Sequence, residues 1–378
     1  MLYATHAVVD LEALRHNLTQ IRRLVDDRQI LVALKADGYG HGAVEIAREL
    51  QACSLADMIG VATTPEGIQL REAGVTLPIL RLSPVFVEEL PAALDADLSL
   101  VVHDRDSIQD IIDADRPAKV HLAIDTGMHR LGCRVDEAPE LAQQIAGSRL
   151  ALQGVSTHLA IADDPAGVDF TKDQLRRFLA AVDVIQDARA AAGLAPVPLI
   201  HASNSGAVLG HELAGLTMVR PGIACYGLYE PADPNFRPIL KLQTKISGIR
   251  RVPAGESVGY GRSWYATDDR WVATVPVGYA DGYSRLHSNR GRMLVGGRSC
   301  PVVGRVCMDQ TMIDLGSAAQ PCPAQVGDEV VVIGSQGEQC IPVSELAATM
   351  GTINYEVTCA INCRVPRVYV NGSAAAGQ

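Results

Sequence analysis

The residues best suited to covalent chemistry lie in the stretch ALKADGYGHG, residues 33–42. The apolar run at residues 30–34 is rich in branched side chains and predicts a buried strand, with Lys35 at its carboxyl end. Three glycines among residues 37–42 predict tight turns or a close approach of the backbone to a ligand. A lysine in this setting can form a Schiff base with a carbonyl cofactor. The alternative is a solvated lysine at a strand end.

Composition and charge exclude several classes of protein. The chain has 378 residues, 48% of them hydrophobic and 20% charged, which suffices for a sizeable core and predicts two domains. A net charge of −10 argues against a nucleic-acid partner. We see no apolar segment long enough for a membrane span and no signal-peptide pattern. Nine scattered cysteines without a CxxC pair favour a reducing compartment, so we expect a cytoplasmic protein without a metal site.

The order of the elements predicts an α/β fold. Leucine and isoleucine spacing indicates an amphipathic helix from Asp10, a plausible N-cap, to about Asp27. Eight short apolar runs alternate with helical segments, which implies a parallel sheet, and eight units imply a closed (β/α)8 TIM-type barrel. An open doubly wound sheet is the alternative. Besides the Lys35 strand, the runs are residues 58–62, 78–82, 98–102, 120–124, 154–158, 197–201 and 218–219.

The pattern changes after a proline-rich connector at residues 230–238. Beyond it we expect one helix, at residues 343–350, and strands at residues 241–252, 271–277, 292–295, 301–307, 311–315 and 329–333. We therefore divide the chain into a barrel domain, residues 1–237, and a mainly β domain, residues 238–378. The Ala/Gly tail at residues 374–377 is expected to be disordered.

Polar residues gather where the predicted barrel strands end, which is where TIM barrels carry their sites. Ser205 and the backbone N–H groups of Gly222 and Ile223 could cradle a phosphate. A lysine and a phosphate site at one mouth suggest pyridoxal phosphate, although each residue alone has a structural explanation. The residues at the ends of strands six to eight are His158, His201, Ser205, Arg220, Gly222 and Ile223.

Further candidate residues lie in four other segments. In HLAIDTGMHRLG, residues 121–132, Arg130 could grip a carboxylate, or could instead pair with Asp125 and stabilise the loop. Glycine-rich or polar settings place Tyr260, Tyr279 and Tyr355 in loops rather than in core strands. These tyrosines lie in SVGYGRSW, PVGYADGYSR and TINYEV, and the remaining segment is VGRVCMDQTMID, residues 303–314.

Together these segments resemble the alanine racemases, a family of fold-type III pyridoxal-phosphate enzymes. The resemblance covers nearly the whole chain and rests on ALKADGYGHG, DTGMHRLG, VGYADGY, GRVCMDQ and TINYEV in this order. It implies a homodimer with shared active sites, in which the barrel of one subunit meets the β domain of the other. It also implies that the substrate is a small amino acid and that the enzyme interconverts L-alanine and D-alanine. The D-alanine would supply peptidoglycan synthesis.

The resemblance assigns a role to each candidate. Lys35 holds the cofactor and is one catalytic base, and Tyr260 of the partner subunit is the base on the opposite face. Phosphate binding falls to Tyr39, Ser205, Gly222, Ile223 and Tyr355. Arg220 faces the pyridine nitrogen, and Arg130 with the partner's Met308 N–H binds the substrate carboxylate. His158, bonded to Arg220 and through it to His201, is the candidate relay that supplies positive charge near Tyr260, and Asp309 and Tyr279 have supporting roles.

One departure from the family pattern concerns the carboxylate site. Many relatives carry a carbamate-modified lysine seven residues before the matching arginine, and here that position is Ala123. Water, a bound anion or another side chain could replace it. The alternatives for function are a serine or broad-specificity racemase of the same fold, a fold-type III decarboxylase, or a non-catalytic carrier of pyridoxal phosphate.

Overall fold

The structure is a computed structural model that describes residues 3–373; the tail predicted to be disordered lies outside them. It begins with strand β1 (His6–Asp10), which was not predicted, and helix α1 (Leu11–Val25), which was. The Asp10 carboxylate accepts hydrogen bonds from the N–H groups of Glu12 and Ala13, at 2.9 and 3.3 Å. The predicted N-cap is therefore confirmed.

The predicted barrel is confirmed and is closed, so the open-sheet alternative is wrong. Eight parallel strands pair in chain order, and the first also pairs with the last. Their carboxyl ends consequently meet at one mouth. The strands are β2 (Gln29–Ala33), β3 (Met58–Val61), β4 (Ile79–Arg81), β5 (Leu98–Val102), β6 (Lys119–Ala123), β7 (Ala151–Ser156), β8 (Leu199–His201) and β9 (Met218–Val219).

Helices follow the barrel strands and cover their outer face, to which they turn apolar side chains such as Ile108 and Ile111. They are α2 (Lys35–Tyr39), α3 (Ala43–Ala52), α4 (Thr64–Glu72), α5 (Leu90–Asp95), α6 (Arg105–Asp113), α7 (Ala138–Ala146), α8 (Val168–Ala191) and α9 (Ser205–Gly210). Inside the barrel, alternate strand residues form a separate apolar cluster of Leu31, Met58, Leu80, Val101, Ala123, Leu199 and Met218.

The second domain is mainly β, as predicted. One sheet has the order β14-β13-β16-β10-β1-β18 with β17 beside β16, and the other has the order β11-β12-β15. Strand β1, which comes just before the barrel in the chain, thus belongs to the larger sheet of the second domain. The strands are β10 (Leu240–Lys245), β11 (Gly248–Val252), β12 (Arg270–Val275), β13 (Arg292–Val295), β14 (Arg298–Pro301), β15 (Thr311–Ser317), β16 (Glu329–Gln336), β17 (Gln339–Ile341) and β18 (Arg367–Val370).

Two expectations for this domain are wrong. The strand predicted at residues 301–307 is absent. Strand β14 already ends at Pro301, and the chain turns at Gly304, whose φ is 78°. Between residues 238 and 373 two α-helices are present instead of one, α10 (Val343–Met350) and α11 (Asn354–Ala360). Tyr355 consequently lies in the first turn of a helix rather than in a loop.

Loss of the Asp10 cap should be measurable. We expect Asp10→Ala to lower the free energy of unfolding by about 1 kcal/mol, because the two N–H groups of α1 lose their acceptor. Urea denaturation measures this change. The control is Asp27→Ala, an exposed carboxylate just beyond α1, which should change stability by less than about 0.5 kcal/mol. Equal losses in the two variants would contradict the assignment.

Candidate active site

Lys35 follows β2 and opens an unusual turn. Ala36, Asp37 and Gly38 have φ of 53°, 53° and 62°, and Tyr39 has φ of 55°, so the backbone is left-handed through four residues. Residues other than glycine adopt this conformation at a cost of roughly 1–2 kcal/mol each. Backbone strain of this kind is concentrated at functional sites. The turn aims Lys35 and Tyr39 at the barrel mouth.

A cavity of about 310 Å³ lies at this mouth. Its size is at the lower end of the range for small-molecule sites. It brings together ten of the residues predicted from the sequence. They are Lys35, Tyr39, Arg130, His158, His201, Ser205, Arg220, Gly222, Ile223 and Tyr355.

The cavity is rich in positive charge. Three cationic side chains line it, Lys35, Arg130 and Arg220, against one carboxylate, Asp125. Burial and the charges of Arg130 and Arg220 lower the pKa of Lys35. The amine is therefore more often neutral, and more nucleophilic, than a solvated lysine. An anionic ligand with a carbonyl group would complement this lining.

Arg220 is held by four hydrogen bonds. Its Nη1 contacts His201 Nδ1 at 2.7 Å and its Nη2 contacts His158 Nδ1 at 3.2 Å. Nη2 also donates to the carbonyl oxygens of Thr157 and Ala202, at 2.8 and 3.2 Å. Guanidinium groups only donate, so both histidines must accept at Nδ1 and carry their proton on Nε2. The contacts predicted among His158, Arg220 and His201 are therefore present.

Both histidines that contact Arg220 are neutral. Burial, followed by the charge of Arg220, lowers the pKa of His158 to about 3 and that of His201 well below its ordinary value. Burial and the charge of Arg130 lower the pKa of Arg220 to about 10, so the guanidinium stays charged at neutral pH. The positive charge near this part of the cavity consequently belongs to the arginine and not to His158.

The opposite side of the cavity offers hydrogen-bond donors. Ser205 Oγ accepts from the N–H groups of Gly222 and Ala224, at 3.0 and 3.2 Å, which orients that loop. At Gly222 a Cβ would approach Tyr39 Oη to 2.5 Å, so only glycine permits this contact. Within residues 3–373 the hydroxyls of Tyr39 and Tyr355 donate to no other residue, although the rings lie 5.7 Å apart. Two hydroxyls are thus available to an anion.

Arg130 and Ala123 occupy the remaining walls. Asp125 accepts from the N–H groups of Gly127, Met128 and His129 and contacts the His129 ring, and no ion pair between Asp125 and Arg130 forms. The alternative explanation of Arg130 as a loop-stabilising partner is therefore wrong. Ala123 lines the cavity within the apolar cluster of the barrel interior, with Leu82 and Leu131 packed against it.

The other four predicted residues lie elsewhere on the chain. Tyr260, Tyr279, Met308 and Asp309 line a separate shallow depression on the β domain, and none of them borders the Lys35 cavity. Tyr260 is 73% exposed and Met308 53% exposed. A single chain therefore does not bring Lys35 and Tyr260 together. In the same region Asp309 forms an ion pair with Arg364 at 2.7 Å.

Sequence reasoning missed His121 and Gln153. His121 is fully buried in β6 and contacts His201 at 2.8 Å, and Gln153 lies beyond it in β7. The signal was a lone histidine between Val120 and Leu122 in an otherwise apolar strand. Over residues 3–373 there is no cluster of metal-ligand side chains and no helix long and apolar enough to cross a membrane. All nine cysteines are free thiols.

The buried histidines predict a pH-dependent stability. Burial lowers the pKa of His121 to about 4, and the folded-state pKa values of His158 and His201 are lowered too. Below about pH 6.5 the unfolded chain therefore binds more protons than the folded one. The free energy of unfolding should fall as the pH drops from about 6.5 toward 5, by up to about 1.4 kcal/mol per pH unit for each histidine. Urea titrations at pH 7, 6 and 5 measure it, and a flat profile would contradict the neutral assignment.

Two family models cover nearly the whole chain. Alanine racemase, N-terminal domain, matches residues 9–230, and Alanine racemase, C-terminal domain, matches residues 239–369. An alanine racemase from Cutibacterium acnes is 43% identical over 97% of this chain and 98% of the relative. One from Symbiobacterium thermophilum is 40% identical over 97% of both.

Solved structures that resemble this fold are also alanine racemases. The crystal structure of alanine racemase from E. faecalis superposes with a TM-score of 0.88 at 34% identity, covering 97% of this chain and 98% of that one. Alanine racemase from Streptomyces lavendulae has a TM-score of 0.88 at 31% identity over all of both chains. The chain, with its barrel, its cationic cavity and its separate tyrosine-bearing β domain, therefore belongs to the alanine racemase family.

Proposed function

We propose that this protein interconverts L-alanine and D-alanine with pyridoxal phosphate as cofactor and with two bases from two subunits. The observation that carries the proposal is the cavity in which Lys35, Arg220 and the donor group around Ser205 converge. An enzyme that racemises an amino acid must remove a proton from one face of Cα and return one to the other. Two bases on opposite faces suffice for this.

The cavity suits pyridoxal phosphate. Lys35 would hold the cofactor through its amine, and Ser205, Tyr39 and Tyr355 would bind its phosphate together with the loop at Gly222 and Ile223. The cationic lining balances the negative charge of the phosphate. The chemistry supplied by the bound cofactor is delocalisation of the charge left on the substrate Cα after deprotonation.

Lys35 is proposed as one base. A base must be unprotonated before it accepts a proton, and the lowered pKa of Lys35 increases its neutral fraction near pH 7. The same burial excludes bulk water, which would otherwise exchange protons at random. Arg220, held by His158, His201 and two carbonyl oxygens, would keep a fixed positive charge at the cofactor's ring nitrogen.

Tyr260 is proposed as the second base, supplied by a second copy of the chain. A tyrosine ring exposed to 73%, beside the exposed Met308, is a costly surface for an isolated chain and fits a surface that docks on another. Arg130 and the Met308 N–H of the second copy would bind the substrate carboxylate, with Tyr279 and Asp309 in support. In this division, residues 1–237 together with Tyr355 bind the cofactor, and the Tyr260 face of residues 238–378 completes the partner's site.

The proposed substrate is a small amino acid. Leu80, Leu82 and Val101 give part of the cavity an apolar lining that suits the methyl group of alanine. This favours alanine over serine, the main alternative, and a broad-specificity racemase comes next. A decarboxylase or a carrier would have no use for an exposed Tyr260 and Met308. We propose a cytoplasmic role in supplying D-alanine for peptidoglycan, consistent with nine free thiols.

The direct test is incubation of L-alanine with the purified protein and pyridoxal phosphate in deuterium oxide. We expect D-alanine carrying deuterium at Cα, because the returned proton comes from a base that exchanges with solvent. Chiral chromatography with mass spectrometry measures it, with L-serine as the competing substrate. Release of carbon dioxide would identify a decarboxylase. If neither D-alanine nor carbon dioxide forms, the protein would be a non-catalytic carrier of pyridoxal phosphate.

The two-subunit site predicts complementation between inactive variants. Lys35→Ala and Tyr260→Phe should each abolish activity as pure dimers. After unfolding and refolding a 1:1 mixture, half of the dimers are hybrids with one intact site of two, so about one quarter of wild-type activity should return. Refolding each variant alone is the control. If the mixture stays inactive although hybrids form, the bases are not shared between subunits.

The departure at position 123 predicts a change in substrate binding. We expect Ala123→Lys to be tolerated, because Ala123 borders the cavity, and to alter KM for alanine more than kcat, because the new side chain would lie near Arg130. Steady-state kinetics in both directions measure the two constants. A large fall in kcat with unchanged KM would count against a carboxylate-binding role for this wall.

A further inference from the structure

A chain of polar side chains crosses the barrel interior, starting at Arg220. Arg220 Nη1 contacts His201 Nδ1 at 2.7 Å, and His201 Nε2 contacts His121 Nδ1 at 2.8 Å. His121 Nε2 contacts Gln153 Oε1 at 3.3 Å, and the Ser99 hydroxyl donates to the same oxygen at 2.9 Å. Gln153 also borders a cavity at the amino-terminal end of the barrel, with Gln29 and Pro198. The chain thus links the candidate active site to the opposite end of the fold.

The direction of every hydrogen bond in this chain follows from Arg220. The guanidinium donates to His201 Nδ1, so the proton of neutral His201 must lie on Nε2. His201 therefore donates to His121 Nδ1, and the proton of His121 must lie on its own Nε2. That N–H needs an acceptor, and Gln153 Oε1 is placed to be one. Gln153 ends the chain as an acceptor that cannot become a donor at that atom.

The backbone is shaped to place Gln153 there. Regular alternation would turn Gln153 and Val155 to the same face of β7, yet Leu152 and Val155, three residues apart, both pack in the outer core. The pairing of β6 with β7 shifts register between Val120 and His121, which marks a β-bulge. Bulges re-aim side chains, and this one turns Gln153 into the barrel.

Gly154 makes room for the His121 ring. A Cβ at Gly154 would lie 2.2 Å from His121 Nδ1, so no other residue permits this approach. His121 is 0% exposed and His201 1% exposed, and Ser99 is 2% exposed. Unsatisfied donors at such depth cost about 1–3 kcal/mol each, which makes the terminal acceptor necessary.

Protonation of His121 would break the chain. A charged imidazole donates from both nitrogens, so its Nδ1–H would oppose the Nε2–H of His201. His201 could then restore a bond only by moving its proton to Nδ1, where it would face the donor Nη1 of Arg220. Burial lowers the pKa of His121 to about 4, which keeps the ring neutral.

We propose that His121 and Gln153 are positioning residues: they accept in turn the hydrogen bonds that the Arg220-set tautomer of His201 requires, and thereby hold Arg220 in place for the reaction. His121 lies one hydrogen bond beyond His201, the ring that contacts Arg220, and Gln153 lies two hydrogen bonds beyond it. Their effect on catalysis rests on the proposed function, whereas the predicted proton positions do not.

The first test determines the tautomers in the wild-type protein. Nitrogen-15 spectra of histidine-labelled protein, assigned with His121→Asn and His201→Asn, report which ring nitrogen carries the proton. We expect Nε2–H and an unprotonated Nδ1 in both His121 and His201. A proton on Nδ1 of either ring would overturn the proposal. If the tautomers are as expected and no racemisation occurs, the proposed function fails and the hydrogen-bond direction stands.

The second test replaces the terminal acceptor. Gln153→Glu keeps the shape but adds a carboxylate that favours charged His121, so His201 should move its proton to Nδ1 and release Arg220. We expect kcat to fall about ten- to a hundredfold with a smaller change in KM, since small misplacement of a catalytic group has effects of this size. Gln29→Glu, an exposed glutamine on the same cavity rim, is the matched control and should leave tautomers and kcat unchanged.

Gln153→Met separates positioning from stability. It removes the acceptor without adding charge, so Arg220 still dictates the tautomer of His201, and kcat should fall less than in Gln153→Glu. Equal losses of kcat in the two variants, with the His201 signals unchanged in both, would show a merely structural role and overturn the proposal. Thermal unfolding of each variant accompanies the kinetics.

Discussion

The site depends on one permanently charged side chain fixed at the bottom of the cavity, Arg220. A buried guanidinium is costly unless its N–H groups are satisfied. Here two carbonyl oxygens and two imidazoles accept from its Nη1 and Nη2 groups, and the imidazoles can do so only as neutral acceptors. An arginine keeps this charge when buried, whereas a buried lysine readily loses its proton. The protonation states of His158 and His201 follow from it.

Burial, followed by the charges of Arg130 and Arg220, lowers the pKa of Lys35, so its amine loses its proton more easily than a solvated one. One half of the proposed chemistry is therefore built into a single barrel. The other half is on the far side of the chain, where Tyr260 and Met308 are exposed. Strand β1 ties the two halves, because it starts the barrel domain and pairs within the sheet of the second domain.

The sequence predicted the barrel, because eight apolar runs alternating with amphipathic helices leave few other arrangements. It also predicted that the polar residues at the barrel strand ends meet at one mouth, since the carboxyl ends of parallel strands lie together, whereas Tyr355 of the β domain was assigned to this site only through the family resemblance. It did not predict β1, whose alternating pattern is short and whose partners lie more than 200 residues away. Nor did it predict Gln153 as an interior residue, because a β-bulge reverses the face that its position implies. Tyr260 and Met308, which the family resemblance also assigned to the site, do not border the Lys35 cavity in a single chain.

The positions of the protons around Arg220 decide the matter most directly, and a neutron structure of the deuterated protein with added pyridoxal phosphate would locate them. We predict a fully protonated guanidinium, with one deuteron on Nε2 and none on Nδ1 in both His158 and His201. A deuteron on Nδ1 of either histidine, or a guanidinium turned away from both, would contradict the claim that a fixed arginine charge organises the site.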